Sequence, residues 1–160
     1  MAEIDFIINN LYLGGCWLPL HSPKTLIEKK ITHIVSVGNE FINIKHDFEC
    51  NSLNINIDDV AESAITLRDK LDEIHEQIHN ARKLGNVFVH CNCGVSRSPT
   101  IIISYLMGRL NYSLFDAFYL VKKRRDIIQP NLEFMKMLIN YEISLGKSSS
   151  FTLDKYMEQM

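Results

Sequence analysis

Residues 87–100 read Val-Phe-Val-His-Cys-Asn-Cys-Gly-Val-Ser-Arg-Ser-Pro-Thr. The apolar, β-branched run that ends at His90 is typical of a buried strand, and a second apolar run begins at Thr100. Between them lies a short loop that contains a glycine, Cys91 and Arg97. The order strand, loop, helix predicts a site where backbone N–H groups and a helix N-terminus bind an anion.

The side chains of this loop suit phosphate chemistry. The planar guanidinium of Arg97 can bind two phosphate oxygens at once. A helix N-terminus and nearby cations favour the thiolate, which is the nucleophilic form of a cysteine. We therefore expect Cys91 to be a thiolate held against the phosphorus of a bound phosphate ester. The residues expected to bind the phosphate are Asn92, Cys93, Gly94, Val95, Ser96 and Arg97.

The string His-Cys-x-x-Gly-x-Ser-Arg-Ser-x-Thr resembles the signature of the cysteine-dependent protein phosphatases. Within it, Ser-Arg-Ser-Pro-Thr is similar to the dual-specificity branch, and Leu11-Tyr12-Leu13-Gly14 resembles a segment that opens such domains. The pair Cys-x5-Arg alone is weak evidence, and a buried inert cysteine is its alternative reading. The resemblance covers roughly residues 4–145 and is to the small, atypical dual-specificity phosphatases.

The resemblance implies hydrolysis of phosphotyrosine and phosphoserine or phosphothreonine through a phosphocysteine, with no metal or other cofactor. Expulsion of a phenolate or alkoxide also requires a carboxylic acid near the loop. Asp58 and Asp59 follow an alternating apolar stretch. The family's acid takes the fifth place of a pattern similar to Ile55-Asn56-Ile57-Asp58. This favours Asp59 as the acid and keeps Asp58 as the alternative.

Further roles follow from the same resemblance. Ser98 matches the hydroxyl that stabilises the departing thiolate, and a helix N-cap is its alternative role. His90 matches the histidine that fixes the loop through hydrogen bonds. Asn131 belongs to a Pro-Asn pair that is structural in the family. Glu133 and Arg125-Asp126 replace the common glycine and Arg-Pro, and we expect them to alter the pocket rim without touching the chemistry.

The periodicities predict a single α/β domain with a central, mostly parallel sheet of four to five strands and helices on both faces. We assign residues 1–145 to the catalytic domain and residues 146–160 to a C-terminal tail, joined by a flexible Gly-Lys-Ser-Ser-Ser segment. A short helix is predicted to have Ser22 as its N-cap and Pro23 as its first residue. The other predicted elements are strands at 4–8, 11–13, 31–37, 53–57 and 87–90, and helices at 67–84, 100–109, 114–125 and 132–145.

Composition narrows the class of protein. The 160 residues carry a net charge of −2, which argues against a nucleic-acid binder. No apolar run is long enough for a membrane span, and no signal peptide is visible. Four scattered cysteines do not form a disulfide framework, so we expect the reducing cytoplasm or nucleus. The expected partner is a phosphorylated protein substrate, and the oligomeric state is left open.

Two kinds of alternative function are open: binding of phosphate without hydrolysis, and hydrolysis of a phosphate ester other than a phosphoprotein. One alternative is a phosphate-binding module without turnover, and the joint presence of Cys91, Arg97 and a placed aspartate argues against it. A phosphoinositide, an RNA 5′-phosphate or a glycan phosphate is an alternative substrate. A lipid phosphatase favours a more basic loop, whereas this loop contains no lysine.

Several other sequence features have more than one interpretation. His75-Glu76-Gln77-Ile78-His79 matches the zinc-peptidase pattern, but we expect it to be a solvated helix flank. Cys50 and Cys93 are candidate redox partners of the nucleophile, and small packing residues otherwise. Residues 122–125 are expected to be helix-end cations, with steering of phosphorylated substrates as the alternative. Trp17 is expected in a loop, at the rim or an interface.

Overall fold

Five short strands form one sheet in the order β1-β2-β5-β3-β4, in a computed structural model that describes residues 3–160. Strands β1 and β2 are antiparallel, and all other neighbours are parallel. The strands are β1 (Ile4–Ile8), β2 (Leu11–Gly14), β3 (Ile31–Val37), β4 (Asn51–Ile55) and β5 (Asn86–His90). Val87, Phe88 and Val89 are fully buried. Burial on both faces is what a central parallel strand with a continuous apolar run requires.

Helices cover both faces of the sheet, which confirms the predicted fold class. The helices are α1 (Trp17–His21), α2 (Lys24–Glu28), α3 (Ser63–Leu84), α4 (Arg97–Leu110), α5 (Leu114–Arg124), α6 (Leu132–Ser144) and α7 (Leu153–Met157). Residues 97–107 of α4 are all buried, so this helix lies at the centre of the main core. A smaller core includes Leu18 of α1 and Leu26 of α2. Within residues 3–160, no helix combines the length and apolar character that a membrane span needs.

The prediction of Ser22 as a helix N-cap is wrong. Trp17 lies in α1, not in a loop, and Ser22 ends that helix by donating its N–H to the Leu18 carbonyl at 3.0 Å. Pro23 is therefore the N-cap residue of α2, which begins at Lys24. A Ser-Pro pair alone does not show that a preceding helix already uses the serine.

Other boundaries shift by a few residues. Helix α3 begins at Ser63 and helix α4 at Arg97, both earlier than predicted. Strand β4 ends at Ile55 because the Ile57 N–H turns back to the Ile55 carbonyl at 3.0 Å. The chain leaves the sheet there, although Ile57 itself stays buried. A local turn, and not a change in the hydrophobic period, therefore ends this strand.

The segment after residue 145 is not a flexible joint. Ser150 donates its N–H and its hydroxyl to the buried Glu142 carboxylate at 2.7 and 2.6 Å. Phe151 and Tyr156 are each only 2% exposed and belong to the main core cluster. The predicted domain boundary stays a prediction, but residues 146–160 pack against the same core as the catalytic domain.

The histidines of the zinc-peptidase pattern pack against α4. His75 is 1% exposed and its Nε2 lies 2.8 Å from the Ser104 hydroxyl. His79 Nδ1 lies 2.8 Å from the Tyr105 hydroxyl. The expected solvated flank is therefore wrong for His75, although Glu76 is exposed. These contacts give both histidines a structural role.

Protonation of His75 should link the stability of the protein to pH. Burial lowers the pKa of His75 to about 4, below its ordinary value of 6.5. The unfolded chain binds the proton first, so this contribution to stability is present above pH 6.5 and is lost as the pH falls toward 4. The loss is roughly 3 kcal/mol, from about 1.4 kcal/mol per pH unit. Urea unfolding at several pH values should show a smaller slope for His75→Gln.

A matched control is His21→Gln, because His21 is exposed. Part of the slope should persist in His75→Gln, since burial also lowers the pKa of His90 to about 4. An unchanged slope in His75→Gln would contradict the assignment.

Candidate active site

The loop predicted to bind phosphate connects the carboxyl end of β5 to the start of α4. A cleft of about 390 Å³ opens above it. The cleft is lined by Asp59, Cys91, Asn92, Cys93, Val95, Ser96 and Arg97. The fold thus brings together the candidate nucleophile Cys91, Arg97 and one of the two candidate aspartates.

The carbonyl groups of this loop are all hydrogen-bonded to groups outside it. The donors to the carbonyls of residues 91–96 are, in order, His90 Nδ1 (3.1 Å), Cys16 N (2.9 Å), Arg125 Nη2 (2.9 Å), Arg125 Nε (2.9 Å), Gln129 N (2.6 Å) and Thr100 N (3.1 Å). In a trans peptide the C=O and the next N–H point in opposite directions. The N–H groups of the loop therefore face its interior, which is the arrangement that binds an anion.

Gly94 permits the turn in the middle of the loop. Its φ of +68° lies in the left-handed region that favours glycine. A Cβ here would lie 2.7 Å from the carbonyl carbon and oxygen of Gly14, which belongs to β2. Gly94 therefore serves both the loop conformation and its close packing on the sheet.

Arg125 supports the loop from its buried side. The residue is 4% exposed, and its guanidinium bonds the Cys93 and Gly94 carbonyls and, at 2.9 Å, Asp5 of β1. Arg125 directly follows α5, as expected of a helix-end cation, but the expectation that it alters the pocket rim is wrong, because it lies buried beneath the loop. The sequence does not reveal this role, because Arg125 is one of four consecutive cations and nothing in such a run indicates which of them is buried.

Cys91 lies at the floor of the cleft. The residue is 3% exposed, and the Ser98 hydroxyl donates to its sulfur at 3.2 Å. Ser98 lies in the first turn of α4, so it is not the N-cap, which is Ser96. A hydroxyl that donates to sulfur stabilises negative charge there.

His90 connects the loop to the sheet. Its Nδ1 donates to the Cys91 carbonyl, so its Nε2 accepts from the Ser36 hydroxyl of β3 at 2.7 Å. Burial lowers the pKa of His90 to about 4, so the ring is neutral at neutral pH. Phe88 stacks on the ring with centroids 5.5 Å apart. These contacts fix the orientation of the ring and with it the start of the loop.

The Arg97 guanidinium forms a bidentate ion pair with Glu40. Its Nη1 and Nη2 lie 2.7 and 3.1 Å from the two Glu40 carboxylate oxygens. The hydrogen bonds from Arg97 hold the pKa of Glu40 below its ordinary value. Glu40 lies in the 3-10 turn Asn39–Phe41, which follows β3. No sequence signal identifies Glu40, because residues 40–49 show no period.

The structure places Asp59, and not Asp58, at the cleft. Asp59 Oδ1 accepts from the Ser96 hydroxyl at 2.7 Å and from the Asn131 amide at 2.9 Å. Asp58 instead accepts from the Asn39 amide at 3.0 Å and does not line the cleft. This geometry supports the choice of Asp59 as the candidate acid.

Asn131 links the loop, the candidate acid and helix α6. Its backbone N–H donates to the Ser96 hydroxyl at 2.9 Å, and its side-chain amide donates to Asp59. Its Oδ1 accepts from the Phe134 N–H at 2.9 Å and so caps α6. Asn131 therefore has a positioning role in addition to the structural role expected from the sequence.

The other cysteines differ in their access to Cys91. Cys50 precedes β4 at the amino end of the parallel strands, whereas Cys91 follows the carboxyl end of β5. A five-residue strand spans about 17 Å, so Cys50 as a resolving thiol is wrong. Cys93 is exposed, and Cys16 donates to the Asn92 side chain at 3.3 Å. Cys16 is a neighbour of the loop that no sequence pattern identified.

A cysteine after a central parallel strand, in an anion-binding loop that ends in an arginine, defines the cysteine-dependent phosphatase class. The family model described as "Dual specificity phosphatase, catalytic domain" matches residues 11–144. The chain therefore belongs to the dual specificity phosphatase family.

Two curated relatives and one solved structure illustrate the similarity. A probable dual specificity protein phosphatase of Dictyostelium discoideum is 38% identical over 90% of this chain. Dual specificity protein phosphatase 14 of Mus musculus is 42% identical over 93% of this chain and 74% of its own length. The structure of the human tyrosine phosphatase-like serine/threonine/tyrosine-interacting protein superposes with a TM-score of 0.81 at 30% identity, over 92% of this chain and 100% of that one.

The chain is shorter than some relatives. It spans 65% of the first Dictyostelium relative and 36% of a second one from the same organism. The similarity therefore concerns the catalytic domain that they share.

Replacement of Arg125 should test the support beneath the loop. Lysine keeps the charge but cannot reach both carbonyls and Asp5 with one planar group. We expect Arg125→Lys to lower the free energy of unfolding by about 2–5 kcal/mol, because buried acceptors lose charge-assisted hydrogen bonds. Urea unfolding measures the change. The adjacent, exposed Arg124 provides the control Arg124→Lys, and equal effects of the two variants would contradict this role.

Proposed function

We propose that this chain is a metal-independent protein phosphatase that hydrolyses phosphotyrosine and phosphoserine or phosphothreonine through a phosphocysteine. The observation that carries the proposal is the Cys91 sulfur at the floor of a loop whose six carbonyls are bound on its outer side. The inward N–H groups and Arg97 suit the phosphoryl oxygens, and the Cys91 sulfur lies beneath the position that the phosphorus would take.

In the first step the Cys91 thiolate attacks phosphorus opposite the leaving oxygen. The S–P bond forms while the P–O bond of the substrate breaks. Asp59 donates a proton to the departing oxygen, and its position beside Ser96 at the cleft supports this role. Arg97 and the loop N–H groups stabilise the charge on the equatorial oxygens.

In the second step Asp59 takes a proton from a water molecule, which attacks the phosphocysteine. The P–O bond to water forms, the S–P bond breaks, and inorganic phosphate leaves. The returning thiolate accepts the hydrogen bond from Ser98, which lies 3.2 Å from the sulfur. The cycle thus uses one carboxyl group first as an acid and then as a base.

The family supports a phosphorylated protein as the substrate. The name of the mouse relative describes dual specificity, and the loop contains no lysine that would favour a lipid headgroup. The name of the human structural neighbour describes an interacting protein, so binding without turnover is the competing function. The four cysteines are free, which supports our proposal of a reducing compartment, the cytoplasm or the nucleus.

Removal of the nucleophile should abolish turnover and spare binding. We expect Cys91→Ser to lower the rate of aryl phosphate hydrolysis roughly 10³-fold or more, because a serine hydroxyl is a poor nucleophile here. Calorimetry should still detect binding of a phosphotyrosine peptide. Cys50→Ser, at the opposite end of the parallel strands, should keep most activity. Full turnover by Cys91→Ser would eliminate this mechanism, and an inactive wild-type chain that binds the peptide would favour the binding function.

The two neighbouring aspartates should behave differently. Asp59→Asn should slow phenyl phosphate hydrolysis by about 10²–10⁴-fold, because its leaving group needs a proton. Hydrolysis of 2,4-dinitrophenyl phosphate should be much less affected, since that phenolate leaves unaided. The kcat/KM values for both substrates measure this difference, because kcat/KM reports only the steps up to formation of the phosphocysteine. Asp58→Asn is the matched control, and a larger loss in Asp58→Asn than in Asp59→Asn would reverse the assignment.

A further inference from the structure

The C-terminal segment, residues 146–160, is built into the core next to the site. Phe151 and Tyr156 pack around Phe118 of α5, with ring centroids 5.2 and 5.6 Å from that of Phe118. Both rings are almost completely buried. Aromatic side chains of this size contribute a large buried apolar area, so they anchor the segment on the domain.

Polar contacts fix the same segment. Glu142 of α6 is fully buried, and its carboxylate accepts from the Ser150 N–H, the Ser150 hydroxyl and the Leu114 N–H. The Ser150 hydroxyl also accepts from the Phe115 N–H at 3.0 Å. A buried carboxylate needs such donors, so Glu142 depends on the segment for two of these three. The segment is therefore part of the folded domain, although none of its residues has a role in the proposed reaction.

Tyr156 extends this anchor to the active site. Its hydroxyl donates to the carbonyl of Pro130, a buried residue, at 2.5 Å. Burial raises the pKa of Tyr156 to about 12, so the hydroxyl keeps its proton at neutral pH. The Pro130 carbonyl thus has a donor that comes from the far end of the chain.

The residues on each side of Pro130 bind the catalytic loop and the candidate acid. The Gln129 N–H donates to the Val95 carbonyl at 2.6 Å. The Asn131 N–H donates to Ser96, and the Asn131 amide donates to Asp59. Residues 129–131 therefore lie between Tyr156 on one side and the proposed acid on the other.

We propose that Tyr156 is a positioning residue for Asp59. By holding the Pro130 carbonyl it fixes residues 129–131, and Asn131 then holds the carboxylate of Asp59 above the cleft. This inference rests on the proposed function, because it assigns Tyr156 to the acid step of that reaction. Loss of the hydroxyl should leave phosphate binding intact and displace the acid slightly.

The test is Tyr156→Phe in the full chain, which keeps the ring and removes the hydroxyl. Small displacements of a catalytic group cost up to about 10²-fold in rate. We expect kcat/KM for phenyl phosphate to fall about 3- to 30-fold, within that limit. For 2,4-dinitrophenyl phosphate we expect kcat/KM to fall less than about 2-fold, because this leaving group needs no acid. The ratio kcat/KM reports the steps up to formation of the phosphocysteine, so it excludes the later step in which Asp59 acts as the base for both substrates.

Tyr119→Phe is the matched control. Tyr119 lies in the same aromatic cluster, and its hydroxyl accepts from the Gln159 amide of the same segment. It makes no contact with Pro130 among the hydrogen bonds of residues 3–160, so its loss should slow both substrates equally or not at all. An equal fall for the two substrates in Tyr156→Phe would indicate a merely structural role and would overturn the inference.

A second measurement does not depend on turnover. Hydrogen exchange should become faster at the Gln129 and Asn131 amides in Tyr156→Phe and stay unchanged in Tyr119→Phe. Unchanged exchange at these amides in Tyr156→Phe would overturn the inference. Wild-type protein that hydrolyses neither substrate would contradict the proposed function, and the exchange result would then decide the positioning of residues 129–131 by itself.

Discussion

The outward hydrogen bonds of six consecutive carbonyls are the constraint on which the site depends. A loop can present its N–H groups to an anion only if its carbonyls have donors elsewhere. Those donors come from His90 at the end of β5, from the segment after β2, from the residues after α5 and from the start of α4. The sheet order β1-β2-β5-β3-β4 places the segment after β2 beside the loop, since β2 is the direct neighbour of β5. The fold therefore supplies the donors that hold this loop in shape.

Two arginines act on opposite sides of this loop. Arg97 is paired with Glu40 at the cleft, and Arg125 is paired with Asp5 beneath the loop. Each guanidinium is nearly buried, and a buried charge is tolerated only when it is paired and hydrogen-bonded. The carboxylates orient the two planar groups, one toward the cleft and one toward the loop carbonyls. The two ion pairs thus fix the orientation of both guanidinium groups.

Local patterns predicted much of the architecture and part of the site. Alternating stretches, continuous apolar runs and period-3.6 runs located the five strands and the main helices, because burial of one or both faces imposes those patterns directly. They failed for features whose position depends on a contact with another helix or strand. Ser22 ends the preceding helix α1, and Cys50 lies at the end of β4 that is distant from Cys91. His75 is buried against α4. The serine-rich segment was predicted to be flexible because the sequence does not indicate that Glu142, which binds Ser150, is buried.

By itself the sequence determined the strand-loop-helix unit and indicated the candidate nucleophile, the loop arginine and the pair of candidate acids, since these lie in short stretches whose chemistry is local. Only the tertiary structure decided between Asp59 and Asp58 at the cleft and revealed Glu40, Arg125 and Tyr156. The contacts of these three join residues that are 57, 120 and 26 positions apart. No local period or composition encodes such pairs, because they exist only when the sheet and the helices have brought distant parts of the chain within hydrogen-bond distance.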